Sequence, residues 1–400
     1  MKASARGRLR RFWFQLHLWI GIGLALAIIP LCVSGSYLVW RGEIDRALHP
    51  ARFAISSPQA VLPPSAYLDA AQVRFGDRAR VQGLRLPSKP GEPATVTGAM
   101  TRPAGESKGG AAGRGPQARP QVLTAWIDPG TARVLDVANV RQSLSMWMHD
   151  LHGQFFVFGP GRQAVGWIGV ALLVSCLSGI WLWWPRREVL AMAFRWGRTT
   201  DTLSNLHQLV GFWIALPLAV LSLSGALISF PAFTRGLVGA FALVAPPAGA
   251  QRGGPEGPAS RTMLSADQAA SRALDGQPGA HLLTLNLPTR AADTPRWRAQ
   301  VRTAKGATLT LAIDDAQAGD VRVVPDRPRP EGDQLIRFNR QLHGGGDGMP
   351  LAWKLVITVA GLAPAILAVT GVLVWARRQW RKAARRRPQA RPLGRPAAAE

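Results

Sequence analysis

Cysteine is almost absent: the 400 residues hold two, Cys32 and Cys176. Both lie inside long apolar runs, which excludes a disulfide framework and a thiolate metal site. Acidic residues are also scarce, 23 against 48 Lys and Arg. The apolar runs contain almost no ionisable side chains, and the intramembrane Asp and Glu that ion pathways use are missing from them, which argues against a metal or proton transporter. No small-residue cleavage site follows the first run, which is about twice the length of a secretory h-region. It is expected to stay in the chain as a signal anchor.

What the sequence does have is four runs long enough to cross a bilayer, at 12–40, 162–184, 206–230 and 351–376. A helix needs about 20 apolar residues to span a hydrocarbon core of ~30 Å. Trp and Tyr cluster at the ends of these runs, as in interfacial belts, which disfavours a soluble protein with buried helices. Between the runs lie a basic N-terminus (1–11), an outer segment (41–161), a short link (185–205), a second outer segment (231–350) and an Arg-rich tail (377–400).

Charge orients the chain. Lys2, Arg6, Arg8, Arg10 and Arg11 precede the first run; Arg186, Arg187, Arg195 and Arg198 occupy the link; Arg377, Arg378, Arg381, Lys382 and further arginines fill the tail. The positive-inside bias predicts a multi-pass protein of the bacterial inner membrane, with both termini and the link cytoplasmic and both large segments periplasmic. The formal charge of +25 is mostly this topology signal, with some attraction to anionic membrane lipid. Nucleic-acid binding explains it less well.

The runs repeat. Leu16-His17-Leu18-Trp19-Ile20-Gly21 in the first matches Leu206-His207-Gln208-Leu209-Val210-Gly211 in the third, and Ser34-Gly35 matches Ser224-Gly225, all at an offset of 190. Leu151-His152-Gly153 matches Leu342-His343-Gly344, and Ser178-Gly179 matches Thr370-Gly371, at offsets of 191 and 192. The pattern predicts an α-helical membrane fold: four transmembrane helices as two parallel pseudo-symmetric halves, related by an axis along the membrane normal. Each half carries a small α+β outer domain. In the first, a helix near 65–74 precedes strand-like runs at 80–86, 94–100 and 122–127, the turn Asp128-Pro129-Gly130-Thr131, and Arg133-Val134-Leu135. In the second, a helix capped by Ser265 precedes runs at 282–287, 297–301, 308–313 and 321–324, with a turn at 314–319. Stretches 102–120 and 245–260, rich in Gly, Ala and Pro, read as insertions or linkers.

Four of the seven histidines sit in the repeat. Any one alone reads as an interfacial hydrogen-bonding residue. Taken together, polar residues at membrane depth in matched places point to a ligand, and two imidazoles facing across an axis suit the two axial positions of a haem iron. Gly21 and Gly211 lie one turn beyond His17 and His207 on the same helix face, which would leave room for a flat macrocycle; close helix packing is the alternative. His149 lies three residues before His152, on roughly the same face. It would serve in place of His152, or the trio His149, His152 and His343 would hold Zn²⁺ or Cu²⁺. Its counterpart Arg340 suits a haem propionate or an anionic substrate. His49 and His281 have no matched partners and read as surface residues.

These features together resemble the PepSY-associated transmembrane family, whose better-studied members are inner-membrane ferric-siderophore reductases. The Leu-His starts and Ser-Gly ends of the first and third runs carry the likeness. So do Met148-His149-Asp150-Leu151-His152-Gly153, the exit Trp183-Trp184-Pro185-Arg186-Arg187, and Leu342-His343-Gly344-Gly345. The outer segments resemble PepSY domains, most closely at Asp128-Pro129 and Val134-Leu135. The resemblance covers about residues 11–380.

The resemblance implies two b-type haems, an inner one on His17 and His207 and an outer one on His152 and His343. It implies electron flow to a ferric siderophore or similar chelate outside. Some relatives carry a fused flavin domain; this chain ends in its Arg-rich tail, so a separate donor is expected, a quinol or a cytoplasmic reductase. The reading from another class is a membrane-anchored PepSY protein that engages a protease, peptide or envelope partner without redox activity.

Overall fold

A computed structural model describes residues 5–101, 121–184, 201–245, 262–289, 295–315, 320–324, 329–346 and 349–386. Lys2, the link arginines Arg186, Arg187, Arg195 and Arg198, the insertion 102–120, residues 246–260, turn positions 316–319 and the tail beyond Arg386 lie outside the described residues. The chain divides into two compact units, one made of 1–39, 150–237 and 335–400, the other of 40–149 and 238–334.

The first unit is a helical bundle. Helices α1 (Ala5–Val39), α5 (Pro160–Trp183), α6 (Thr202–Ser229) and α10 (Leu351–Arg386) are its long members. All four are long and apolar enough to cross a membrane. The shortest, at 24 residues, spans about 36 Å at 1.5 Å per residue.

Local chemistry sets their ends. Asp201 caps α6 by accepting from the Ser204 amide. Trp184 turns extended at the end of α5 (φ −54°, ψ 114°) because Pro185 follows it. Helix α10 runs ten residues past its apolar stretch, through Arg377, Arg378, Arg381 and Lys382; cations are favoured near the negative end of a helix dipole.

Each long helix packs on two others, α1 on α5 and α10, α6 on α5 and α10. The seam is lined by small or apolar residues: Cys176, Ile214, Leu218, Ala360 and Ala363 are buried there. At Gly166 a Cβ would meet the Phe230 ring at 2.7 Å, so glycine lets α5 and α6 approach closely. Large side chains point away from the seam, with Leu26 88% and Leu216 71% exposed, as expected of faces that meet lipid. Short helices α4 (Leu144–Gln154) and α9 (Glu331–Gly344) lead towards α5 and α10.

The second unit is one antiparallel sheet of eight strands. In the first outer segment come β1 (Ala79–Arg85), β2 (Ala94–Met100), β3 (Val122–Ile127) and β4 (Val134–Asn139). In the second come β5 (His281–Asn286), β6 (Arg296–Arg302), β7 (Thr308–Asp314) and β8 (Val321–Val324). Their order is β4-β3-β2-β1-β5-β6-β7-β8. Each segment is a meander, and the two join through β1 and β5, where Leu84 lies opposite Leu285. The outer segments therefore do not fold as two separate small domains. A four-stranded meander leaves one side of its first strand unpaired, and joining β1 to β5 covers that edge in both, leaving β4 and β8 as the edges of the sheet.

Helices α3 (Pro64–Phe75) and α8 (Ala266–Leu274) contribute to the core of this sheet, which buries Tyr67, Phe75, Leu84, Leu285, Trp297 and Ile313. The buried carboxylates are satisfied. Asp128 accepts from the Ser56 amide and hydroxyl and from Thr131, and Asp315 accepts from the amides of Met263 and Leu264 and from Trp297 Nε1.

Candidate functional site

The four repeat histidines belong to the helical unit, and the bundle brings them together in two pairs. His17 on α1 and His207 on α6 stand with ring centroids 6.4 Å apart and planes at 88°. His152 on α4 and His343 on α9 stand 6.1 Å apart with planes at 39°. Of the two histidines on α4, it is His152 whose ring pairs with His343; His149 ends the first stretch of the sheet unit.

Each ring is tied to a neighbouring helix through Nδ1. His17 Nδ1 lies 3.0 Å from the Ser175 carbonyl and 3.1 Å from Ser178 Oγ on α5. His207 Nδ1 lies 3.1 Å from Thr370 Oγ1 on α10, and the His207 ring also bonds the Leu367 backbone. His152 Nδ1 lies 3.0 Å from the Leu31 carbonyl and 3.4 Å from Ser34 Oγ on α1. His343 Nδ1 lies 3.1 Å from the Leu221 carbonyl and 3.0 Å from Ser224 Oγ on α6.

Behind each ring is the glycine that follows the hydroxyl residue. A Cβ on Gly179 or Gly371 would come within 3.2 Å of Cε1 of His17 or His207, and one on Gly35 or Gly225 within 2.7 or 2.8 Å of Cε1 of His152 or His343. Helix α9 is itself pinned: Asn339 donates to the Ser224 carbonyl, and Trp353 Nε1 to the Leu342 carbonyl.

A cavity of about 1280 Å³ surrounds the His17–His207 pair, larger than the roughly 300–1,000 Å³ of most small-molecule sites. Gly21 and Gly211 both line it; nothing lies within 4 Å of where a Gly21 Cβ would be, and only Leu367, at 3.9 Å, does so for Gly211. Arg10, Arg11, Arg378 and Lys382 line the same cavity, and Trp183 stacks on Phe212 at 3.9 Å within its wall. The volume is apolar in its middle and cationic towards the ends of α1 and α10.

The family model of the PepSY-associated TM region matches residues 14–378, and so takes in all four histidines. The chain belongs to this family. No curated protein matches it.

In this PepSY-associated TM chain, two imidazoles from different helices at such a spacing are a donor set that would suit a planar metal complex. The ring centroids stand about 6 Å apart in both pairs, a spacing that would leave room for one metal ion bound at about 2.0–2.1 Å by a nitrogen of each ring. At the inner pair, the open space beside Gly21 and Gly211 and the cations lining the cavity would suit a bis-histidine haem; at the outer pair the ring separation alone does. Among the described residues, no group of three or more His, Cys, Asp or Glu is placed to hold a metal ion. The trio of His149, His152 and His343 is thus not assembled as a site.

Burial, and then the neighbouring His152, lowers the His343 imidazole to about 4, against a partial opposing effect of its bond to Leu221. Burial thus favours the neutral form of this ring. Arg340 and His281 are exposed, and His49 pairs with Asp45 at 3.1 Å.

Sequence reasoning found the histidines but gave no role to Ser34, Ser178, Ser224 and Thr370. These had registered only as markers of the repeat. The signal was present as a hydroxyl residue followed by glycine in all four long helices.

Proposed function

We propose that the chain is an inner-membrane electron carrier that holds two b-type haems and reduces a ferric siderophore or similar chelate on the periplasmic side. The observation that carries this reading is the pair of facing imidazole couples, at 6.4 and 6.1 Å. When bound, haem supplies a one-electron couple, and ligation on both sides leaves no open position for oxygen chemistry.

The protein's own residues supply the rest. His17 and His207 would hold the inner group, His152 and His343 the outer one, and Arg10, Arg11, Arg378 and Lys382 would receive carboxylates at the inner site. Ser34 lies 17 residues after His17, and Ser224 lies 17 after His207. That places the two levels roughly 25 Å apart along their helices, one near each face of a ~30 Å core. The matched contacts support a duplicated unit whose halves are related by an axis along the membrane normal.

In this orientation the termini and the basic cavity mouth face the cytoplasm, following the positive-inside bias. Electrons would enter there from a quinol or a separate reductase. An outer acceptor reduced from Fe(III) to Fe(II) would be held less tightly by hard oxygen ligands.

The test is an absorption spectrum and haem assay of full-length protein expressed with haem supply. The reading predicts low-spin b-type bands and two haems per chain. A colourless protein would instead favour the membrane-anchored PepSY protein that binds a protease or envelope partner.

A further inference from the structure

The four histidines share one set of contacts, and that set determines where the ring proton sits. In each case the acceptor helix offers a carbonyl, then a hydroxyl three residues later, then glycine: Ser175, Ser178, Gly179; Leu367, Thr370, Gly371; Leu31, Ser34, Gly35; Leu221, Ser224, Gly225. A hydroxyl has one proton to donate. In all four a carbonyl of its own helix lies within reach of that proton: Ser175 at 3.0 Å from Ser178, Ile366 at 2.9 Å from Thr370, Pro30 at 2.6 Å from Ser34, and Leu221 at 3.0 Å from Ser224.

Towards the imidazole the carbonyl can only accept, and the hydroxyl accepts as well when its proton goes to its own helix. Both demand that Nδ1 carry the hydrogen. A neutral imidazole protonated on Nδ1 has its lone pair on Nε2. The glycine lets the ring come close enough to reach both acceptors, since a Cβ would collide with Cε1 at Gly35 and Gly225 and crowd it at Gly179 and Gly371.

We infer that Ser34, Ser178, Ser224 and Thr370 are positioning residues that lock each histidine in the Nδ1–H tautomer and so present Nε2 as a metal-binding nitrogen. Resting on the two-haem reading, the inference adds what it lacks, the residues that prepare the ligands. Outer partners of this kind orient the ring and raise its basicity as a ligand. The hydroxyl and carbonyl share one N–H, so removing the oxygen weakens the lock without abolishing it.

Two measurements on the full-length protein test this. In haem-free protein labelled with ¹⁵N-histidine, nitrogen shifts report each tautomer directly. The expected result is Nδ1–H at His17, His207, His152 and His343. Thr370→Val should raise the Nε2–H population of His207 alone, and Thr370→Ser should restore it. On haem addition, Thr370→Val should weaken uptake at one of the two sites by about 10-fold and raise the midpoint potential of that haem, with the serine variant recovering both. A wild-type His207 protonated on Nε2 overturns the proposal, as does a Thr370→Val variant that matches wild type in tautomer, affinity and potential. If the tautomers behave as expected but no haem is taken up, the lock stands and the two-haem reading fails.

Discussion

The imidazoles of His17 and His207 come from two different membrane helices, yet their planes lie at 88° with centroids 6.4 Å apart. Neither ring is free to choose that attitude, because each is tied by Nδ1 to a third or fourth helix, His17 to α5 and His207 to α10. All four long helices therefore meet at this one pair. A site so built reports on the packing of the whole bundle.

The simplest prediction concerns stoichiometry. His17→Ala or His207→Ala should remove one haem per chain and leave the other, because the second pair is held by separate contacts. Haem assay on the purified variants checks this, and retention of both haems would show the pairing to be wrong.

The two pairs also differ in attitude, 88° against 39° between ring planes. Crossed and near-parallel axial imidazoles split the iron orbitals differently. The oxidised protein should therefore give two distinct low-spin signals in electron paramagnetic resonance, the more anisotropic one lost in His17→Ala. A single signal accounting for both haems would contradict this.

The glycines behind the rings grade by distance. An added methyl would lie 2.7 Å from His152 on Gly35 and 2.8 Å from His343 on Gly225, but 3.2 Å from the inner rings on Gly179 and Gly371. Gly35→Ala and Gly225→Ala should lower outer-haem affinity by about 10-fold or more, by displacing a ligand from its outer partners. Gly179→Ala and Gly371→Ala should act more mildly on the inner haem. Haem titration of the four variants ranks them.

The sheet unit makes its own prediction with pH. Burial alone would push the Asp128 carboxyl up, but hydrogen bonds from the Ser56 side chain, Thr131 and the backbone outweigh it and hold the group below its ordinary value. A depressed folded pKa stabilises fully above the unfolded value of about 3.9 and is lost as pH falls through the folded value. Asp128→Asn should cost about 1–3 kcal/mol at pH 7 and flatten the acid limb of unfolding. Hydrogen exchange of β3 and β4 between pH 7 and pH 3 measures it, and an unchanged acid limb in the variant would refute it.

Much of this was legible in the residues themselves. Long apolar runs can only be long helices, so the four spans were plain, although α10 runs past its apolar stretch because the arginines after Trp375 remain helical. Alternating runs marked most of the strands to within a few residues, whereas β4 was visible only as Val134 and Leu135 after the Asp128 turn, because none of its residues is fully buried and its pattern does not alternate. What alternation does not carry is which edge meets which, and the joining of β1 to β5 at Leu84 and Leu285 follows from unpaired backbone, which is the same in every sequence. The histidines were visible by their spacing. Their serine, threonine and glycine partners were visible too, but a hydrogen bond between helices 118 to 163 residues apart in sequence leaves no local periodicity to reveal it.

The central claim is that two metal-centred macrocycles sit between facing histidines, and one measurement reaches it directly. Full-length protein purified from haem-supplied cells should show the sharp reduced bands of low-spin b-type haem and an assay of two haems per chain, falling to one in His17→Ala. A colourless protein, or haem content unchanged by that substitution, would contradict the account.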